Sequence, residues 1–373
     1  MKYISFYDTS DNEGRARCLS AVTQMESIYH SLDEMGKDVE IVSASMISDK
    51  KHKARIEQIS QGVTMRQFAT VRAKGFFGKI AARIYRFFTL LFFLLFNVKK
   101  GENVIVYHSL SYITPIKMAK ALKKFRLIME IGEIYGDVIN SNKAKKKEFS
   151  LFRKADAYIF STEFLNEKIN TENKPAAVIY GTYKVETDRK IPYNDGKIHC
   201  VYAGTLDPRK GCGLVVEAAE FLPENYHVHI LGFGNDEDKK YLENALQMVR
   251  EKTACTITYD GLRSGEEYIQ FIQNCDIGLS PQNPTAAFNE TSFPSKVLSY
   301  LANGLRVVSI NLKSITRSAV SDMLYYYKEG TPQALAAAIQ SVDLSTPYNS
   351  RERILQLDKE FKENMKKVLG EMV

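Results

Sequence analysis

Cysteine is scarce in this 373-residue chain: Cys18, Cys200, Cys212, Cys255 and Cys275 form no Cys-x-x-Cys pair, and none stands at metal-ligand spacing from a histidine. That excludes a disulfide-stapled scaffold and a zinc ribbon, and it implies buried thiols in a reducing, cytosolic setting. The chain also lacks Gly-x-x-x-x-Gly-Lys-Ser/Thr, His-Glu-x-x-His and Gly-x-Ser-x-Gly, so P-loop, zinc-protease and hydrolase readings lose support. Low-complexity tracts and short internal repeats are missing. The longest apolar run is about a dozen residues, against the roughly 20 that a bilayer span needs. Residues 1–8 carry one lysine and a short apolar run before turning polar, so a first strand is expected there rather than a signal peptide.

What is present is a globular composition, 45% hydrophobic and 25% charged. The length exceeds what one core usually supports, so two domains are expected. The net charge of +7 favours anionic partners such as phosphate ligands or a membrane surface. Nucleic acid is disfavoured, because the basic residues are spread over helices without a recognised module.

Strand-like runs at 3–7, 39–43, 104–107, 127–131, 157–161 and 177–180 alternate with helical patterns such as 18–35 and 113–124. Such alternation predicts a parallel sheet covered on both faces. A polar segment, 184–197, reads as an interdomain linker. The alternation then restarts, with strands at 199–203, 227–231, 256–259, 277–280 and 306–310 and helices near 212–221, 236–252, 265–274 and 294–302, a second doubly wound domain. The end, 350–373, reads as an amphipathic helix with Ile354, Leu357, Phe361, Met365 and Leu369 on one side. The segment 75–100 breaks the pattern: a phenylalanine-rich run flanked by Lys74, Lys79, Arg83, Arg86, Lys99 and Lys100. It is either a core helix of the first domain or a helix lying in a membrane interface.

The most informative stretch is Phe293-Pro-Ser-Lys-Val-Leu-Ser-Tyr-Leu-Ala-Asn-Gly-Leu-Arg-Val-Val308. Pro294 suits the first position of a helix, Ser292 can cap it, and Ser295 and Lys296 then fall in its first turn. Gly304 ends the helix before a buried strand. Free N–H groups, a helix dipole and a lysine converge there, an arrangement that suits an anion, usually phosphate. An ordinary crossover helix with a solvated lysine is the alternative.

Open α/β sheets bind ligands beyond the carboxyl ends of their strands. In the first half those loops hold His108, either a structural histidine or a catalytic acceptor-side group, and Glu133, an exposed loop carboxylate, a helix cap or a catalytic acceptor-side group. In the second half they hold Gly204, Thr205, Arg209 and Lys210, then Gly232 in Leu-Gly-Phe-Gly234, then a polar loop, 281–290, leading to the helix at Pro294.

Five segments in order, Tyr202-Ala-Gly-Thr-Leu with Arg-Lys-Gly211, Ile230-Leu-Gly-Phe-Gly234, Ile257-Thr-Tyr-Asp-Gly261, Cys275-Asp-Ile-Gly-Leu and Phe293-Pro-Ser-Lys, resemble the donor half of a GT-B glycosyltransferase, nearest to glycosyltransferase family 4 of the bacterial surface-polysaccharide type. They span about 110 residues, while the first half, through residues 32–41 and 129–135, is similar more loosely. The resemblance implies an α/β GT-B architecture, two Rossmann-like doubly wound domains facing across a cleft. Residues 1–183 would bind acceptor, 184–349 the nucleotide sugar, and 350–373 would cross back onto the first domain. It further implies a retaining, metal-independent sugar transfer from a nucleotide sugar, expected to be a UDP-sugar, to a glycan or lipid-linked acceptor, without a cofactor. Lys210, Ser295 and Lys296 would hold the donor diphosphate, Arg209 would compensate for Thr205 where the family has arginine, and Asn289 would take the donor-sugar role. The family's paired glutamates align with Thr291 and Ser299, with Glu290 one place out of register, which puts the ribose grip in question.

The expected function is therefore a cytoplasmic glycosyltransferase of bacterial surface polysaccharide assembly, peripheral at the inner face of the plasma membrane through 75–100. Two other readings are kept: a non-catalytic GT-B subunit binding a partner enzyme or glycan, and a nicotinamide dehydrogenase. The last needs Gly-x-Gly-x-x-Gly after a strand with a carboxylate about 20 residues on, which neither half shows.

Overall fold

A computed structural model describes residues 1–8, 15, 19–48, 50–207, 210–282 and 293–371. It divides into two compact units, Met1–Thr182 with Glu360–Val373, and Tyr183–Lys359.

In unit 1 the chain runs β1 (Lys2–Ser5), α1 (Leu19–Glu34), β2 (Val39–Ser43), β3 (Arg55–Gln58), β4 (Val63–Gln67), α2 (Gly75–Asn97), β5 (Asn103–Tyr107), α3 (Ile113–Lys123), β6 (Arg126–Ile131), α4 (Tyr135–Val138), α5 (Asn142–Phe152), β7 (Ala157–Phe160), α6 (Glu163–Ile169) and β8 (Ala176–Val178). The sheet order is β3-β4-β2-β1-β5-β6-β7-β8, with only β3 antiparallel. The order reverses between β1 and β5, which makes the carboxyl ends of those two strands the rim where a ligand would sit. Strands such as β5 and β6 are buried through nearly their whole length, as a sheet covered on both faces requires. The hairpin β3–β4 escaped the sequence reading, because Arg55-Ile-Glu-Gln alternates exposed and half-buried residues at a sheet edge.

Helix α2 meets neither expectation in full. Leu90, Leu91, Phe93 and Leu94 are buried in the core of unit 1, whereas Phe76, Phe77, Phe88 and Phe96 are exposed.

Unit 2 continues with β9 (Ile198–Thr205), α7 (Cys212–Ala218), β10 (Tyr226–Phe233), α8 (Asp236–Arg250), β11 (Thr256–Gly261), α9 (Gly265–Asn274), β12 (Ile277–Ser280), α10 (Ser295–Ala302), β13 (Arg306–Ile310), α11 (Lys313–Thr316), β14 (Leu324–Tyr327) and α12 (Pro332–Gln340). Its parallel sheet has the order β11-β10-β9-β12-β13-β14 and reverses between β9 and β12. Local chemistry sets the helix starts. Asn235 and Asp238 cap α8 reciprocally, and Thr331 accepts from the Ala334 N–H ahead of Pro332 in α12.

The segment 184–197 is tied down rather than free. Arg189 N–H donates to Gln273, Ile191 N–H to Asn274, and Lys190 pairs with Asp276 at 3.1 Å, all at the end of α9. The last helix, α13 (Ser350–Leu369), begins in unit 2 and supplies its final ten residues to unit 1. There Asn103 donates to the Leu369 carbonyl and Arg126 to that of Val368. Ile354, Leu357, Phe361 and Met365 are buried along it, matching the apolar stripe. The helix stops at Leu369 because Gly370, at φ +80°, turns left-handed.

Candidate functional site

The carboxyl ends of β9, β10 and β12 gather most of the expected donor residues. Gly204 and Gly232 lie opposite each other in the parallel pair β9–β10. Gly232 has φ +147°, and a Cβ there would fall 1.7 Å from the Gly204 carbonyl oxygen, so only glycine fits. Gly204 is bare for another reason. A Cβ on it would meet Lys296 Cε at 2.7 Å and Nζ at 2.8 Å, so the lysine lies across the end of β9.

The ammonium of Lys296 sits 3.8 Å from the centroid of the Tyr202 ring, a cation–π contact, and no carboxylate pairs with it among the described residues. Burial pulls this lysine down to about 7. The Cys212 thiol opposes that, and the positive charge of Lys210 adds to it. Lys210 is exposed after the β9 loop, where its N–H donates to the Asp207 carbonyl at 2.9 Å. Gly211, at φ +93°, opens α7 and packs so closely on Pro281 that a Cβ would be 1.7 Å from its carbonyl oxygen. The loops after β9 and β12 are thereby locked together.

The start of α10 differs from the expectation in one position. The helix begins at Ser295, and Pro294 is the flanking residue, with extended φ −71° and ψ 111°. Proline brings no side-chain cap, so the N–H groups of Ser295 and Lys296 in the first turn have no cap from that residue. Arg209, Asn289, Glu290, Thr291 and Ser292 lie outside the described residues. Ser299 is one turn along α10, and its hydroxyl lies 3.3 Å from that of Tyr268 on α9. Thr205 ends β9, its carbonyl accepting from the Tyr202 hydroxyl at 2.8 Å.

Sequence reasoning missed Tyr300 and Gly278. Strands β9 and β12 are paired at Ile277 and Gly278, and beyond that point the Tyr300 hydroxyl takes over. It accepts the Ala203 N–H at 2.9 Å and faces the Leu279 carbonyl at 3.4 Å. Gly278 makes room for the Tyr300 ring, because a Cβ would lie 2.3 Å from it. A glycine inside a buried strand was the available signal.

At the matching rim of unit 1, His108 is buried, and its Nε2 lies 2.8 Å from Glu148 of α5. Glu148 also accepts the Tyr135 and Gly136 N–H groups, so it caps the start of α4. Glu133 is half-buried, its carboxyl raised by burial and then by the charge of Glu148. Beneath them, Glu130 is fully buried. It takes the Tyr3 hydroxyl on one oxygen, its other oxygen has no partner among the described residues, and burial pushes it up to about 8.

A histidine group stands at the opposite, amino end of β9 and β10. His199 Nδ1 and His229 Nε2 are 2.9 Å apart, backed by Asp195 and Asp260, each at 3.0 Å. His227 stacks on His229 with ring centroids 3.9 Å apart and planes 27° apart. The rings of His227 and His229 are too nearly parallel for their in-plane lone pairs to converge on one ion, so the group does not fit a metal centre as it stands. Burial, then the neighbouring His229 and His199, hold His227 down at about 4.

Residues 184–367 match the family model for glycosyl transferases group 1. This is a GT-B chain with a group 1 glycosyltransferase domain. That domain contains every donor-side residue named above. The chain is 25% identical over 211 residues to TuaH of Bacillus subtilis (strain 168), whose name assigns it to teichuronic acid biosynthesis as a glycosyltransferase. That match spans 53% of this chain and 51% of TuaH, about half the length of each. Among solved structures, apo OtsA superposes with a TM-score of 0.71 at 11% identity, covering 100% of this chain and 99% of that one. An E. coli trehalose-6-phosphate structure bound with UDP-2-fluoro glucose gives 0.70 at 10%, with the same coverage. The trehalose 6-phosphate synthase of Burkholderia multivorans gives 0.68 at 12%, covering 99% and 96%. At these identities the structures speak to the fold.

Proposed function

We propose that this chain transfers a sugar from a nucleotide sugar to a glycan or lipid-linked acceptor during bacterial surface polysaccharide synthesis. The observation that carries this is Lys296, half-buried with no carboxylate partner among the described residues, set at the start of α10 where β9 and β12 part. A diphosphate would supply the missing anion. As the bond between the anomeric carbon and the diphosphate oxygen breaks, negative charge grows on the leaving group. Lys296, Lys210 and the first-turn N–H groups of α10 would offset that charge without a resident metal or other cofactor. The acceptor hydroxyl would attack the same anomeric carbon from the face the leaving group vacates, which retains configuration, and its proton would pass to the released diphosphate. The UDP-sugar held by a structural neighbour supports UDP as the nucleotide. We place the reaction in the cytoplasm, at the inner face of the plasma membrane, with unit 1 binding acceptor and unit 2 the donor.

The test is a thermal-shift panel of UDP-, GDP-, CMP- and dTDP-sugars on the wild type and Lys296→Ala. Donor at 100 times its dissociation constant stabilises the fold by about 2.7 kcal/mol. A shift with one nucleotide sugar, lost in Lys296→Ala, supports the site and names the base. No shift with any of them overturns it. The second reading is a non-catalytic GT-B subunit, favoured by Ser299, which offers no carboxylate to a ribose and already meets the Tyr268 hydroxyl. That reading expects no release of nucleoside diphosphate from any donor and acceptor mixture.

A further inference from the structure

Helix α2 carries an exposed apolar stripe that the fold leaves uncovered. Phe77, Ile80, Ile84, Phe88, Phe92 and Phe96 recur every three or four residues, and Phe77 and Phe96 are 83% and 79% exposed. A row of that kind on one helix is larger than the scattered surface apolar residues of ordinary proteins. The opposite side of its second half is committed to the core through Leu90, Leu91, Phe93 and Leu94. A helix anchored in that way does not cross a bilayer, although its 23 residues are long and apolar enough.

The charge around the stripe decides what covers it. Between residues 72 and 100 stand seven basic residues, Arg72, Lys74, Lys79, Arg83, Arg86, Lys99 and Lys100, and no acidic one. A second copy of the chain meeting this face across a two-fold axis would set those cations against their own copies. A neutral apolar groove would leave them without partners. An anionic lipid surface satisfies both features at once. Phenylalanine and isoleucine enter the acyl boundary, while lysine and arginine reach back along their stems to the phosphates.

We propose that α2 docks this chain on an anionic lipid surface, lying in the interface plane with the stripe from Phe77 to Phe96 inserted. The proposal stands independently of sugar transfer, because docking needs neither donor nor acceptor.

The experiment is vesicle co-sedimentation of the full chain without nucleotide. One set of vesicles is phosphatidylcholine alone and the other is phosphatidylcholine with phosphatidylglycerol at about 7:3. Wild type should sediment with the anionic vesicles and weaken steeply with salt. Phe77→Ser with Phe88→Ser should weaken it by about tenfold or more, since both rings leave the acyl boundary. Lys79→Glu with Arg83→Glu should weaken it by about twentyfold or more, at about fivefold for each charge near an anionic surface. All four positions are exposed, so melting temperatures should stay close to wild type, a control that separates lost docking from lost folding. Equal binding to both vesicle types, or to neither, overturns the proposal. A solution dimer that Phe77→Ser with Phe88→Ser dissociates, without vesicle binding, assigns the stripe to a second copy and overturns it as well.

Discussion

The two sheets reverse their strand order in the same way, yet the rims at the two reversals are chemically opposite. In unit 2, between β9 and β12, Lys296 is a cation with no carboxylate partner among the described residues, and Lys210 repels it. In unit 1, between β1 and β5, the acids and the histidine have found one another: His108 with Glu148, Glu148 with the α4 N–H groups, Glu130 with Tyr3. Among the described residues, one rim is electrically incomplete and the other is largely closed on itself. An incomplete rim is a place for a ligand of opposite charge, and a closed one mostly holds its own loops in position. His108 and Glu133 were both expected to serve the acceptor. His108 is committed to Glu148, while Glu133 is half-buried with its carboxyl raised.

The sharpest way to break this contrast is to remove one partner on the closed side. Glu148→Ala strands the buried His108 ring and two backbone donors, so it should cost about 1–3 kcal/mol of stability for each group left unsatisfied, read by urea unfolding. Donor binding by unit 2 should survive at low temperature, where the variant is still folded. If Glu148→Ala instead folds normally and loses only turnover, the closed rim is a catalytic one and the contrast fails.

On the open side the order of damage inverts. Lys296→Ala should lower turnover by about 10²–10³-fold, the range seen when one charge-stabilising group is removed. Its stability should hold or rise, because the folded site disfavours a charge that the unfolded chain carries freely. The sign follows from proton counts. Between about 7, the folded value, and the higher unfolded one, only the unfolded chain holds the proton, so wild-type stability increases with pH there. Lys296→Ala should flatten that rise, and a thermal-melt series from pH 6 to 10 would show it.

Glu130 gives the mirror image in unit 1. Its folded value of about 8 exceeds the unfolded one, so its stabilising contribution is complete below the unfolded pKa and fades as pH climbs through 8. Wild type should lose on the order of 3 kcal/mol between pH 5 and 8 from this group alone, and Glu130→Gln should remove that slope. A slope unchanged in Glu130→Gln would mean that Glu130 is ionised throughout.

Most of this architecture was legible in the sequence, and the reasons are specific. Fully buried strands such as Asn103–Tyr107 and Ile277–Ser280 declare themselves as short apolar runs between helical patterns. Edge elements do not. Strands β3 and β14 lie at sheet edges with half-exposed residues, and four residues are too few for an alternation to stand out. For the site, Lys296 could be read from Phe-Pro-Ser-Lys, because a helix start with a lysine is a local feature. The role of Gly204 could not, since it depends on a lysine 92 positions away crossing the strand end. Tyr300 was invisible for the same reason: a tyrosine in an apolar helical stripe reads as core until its hydroxyl is seen between β9 and β12.

Tyr300 also yields the smallest test. Tyr300→Phe keeps the ring over Gly278 and deletes only the hydroxyl, leaving the nearly buried Ala203 N–H without its acceptor. One unsatisfied buried donor costs about 1–3 kcal/mol, and the low end applies because the loosened strand end can admit water. The lost hydroxyl sits one residue before Gly204, so the damage should spread to the lysine lying across it. Donor affinity should fall several-fold while unit 1 is untouched, which titration of a nucleotide sugar against the variant would measure. If Tyr300→Phe destabilises the fold by the expected amount and leaves donor affinity unchanged, the hydroxyl merely closes the sheet. The open rim would then rest on Lys296 and the α10 start alone.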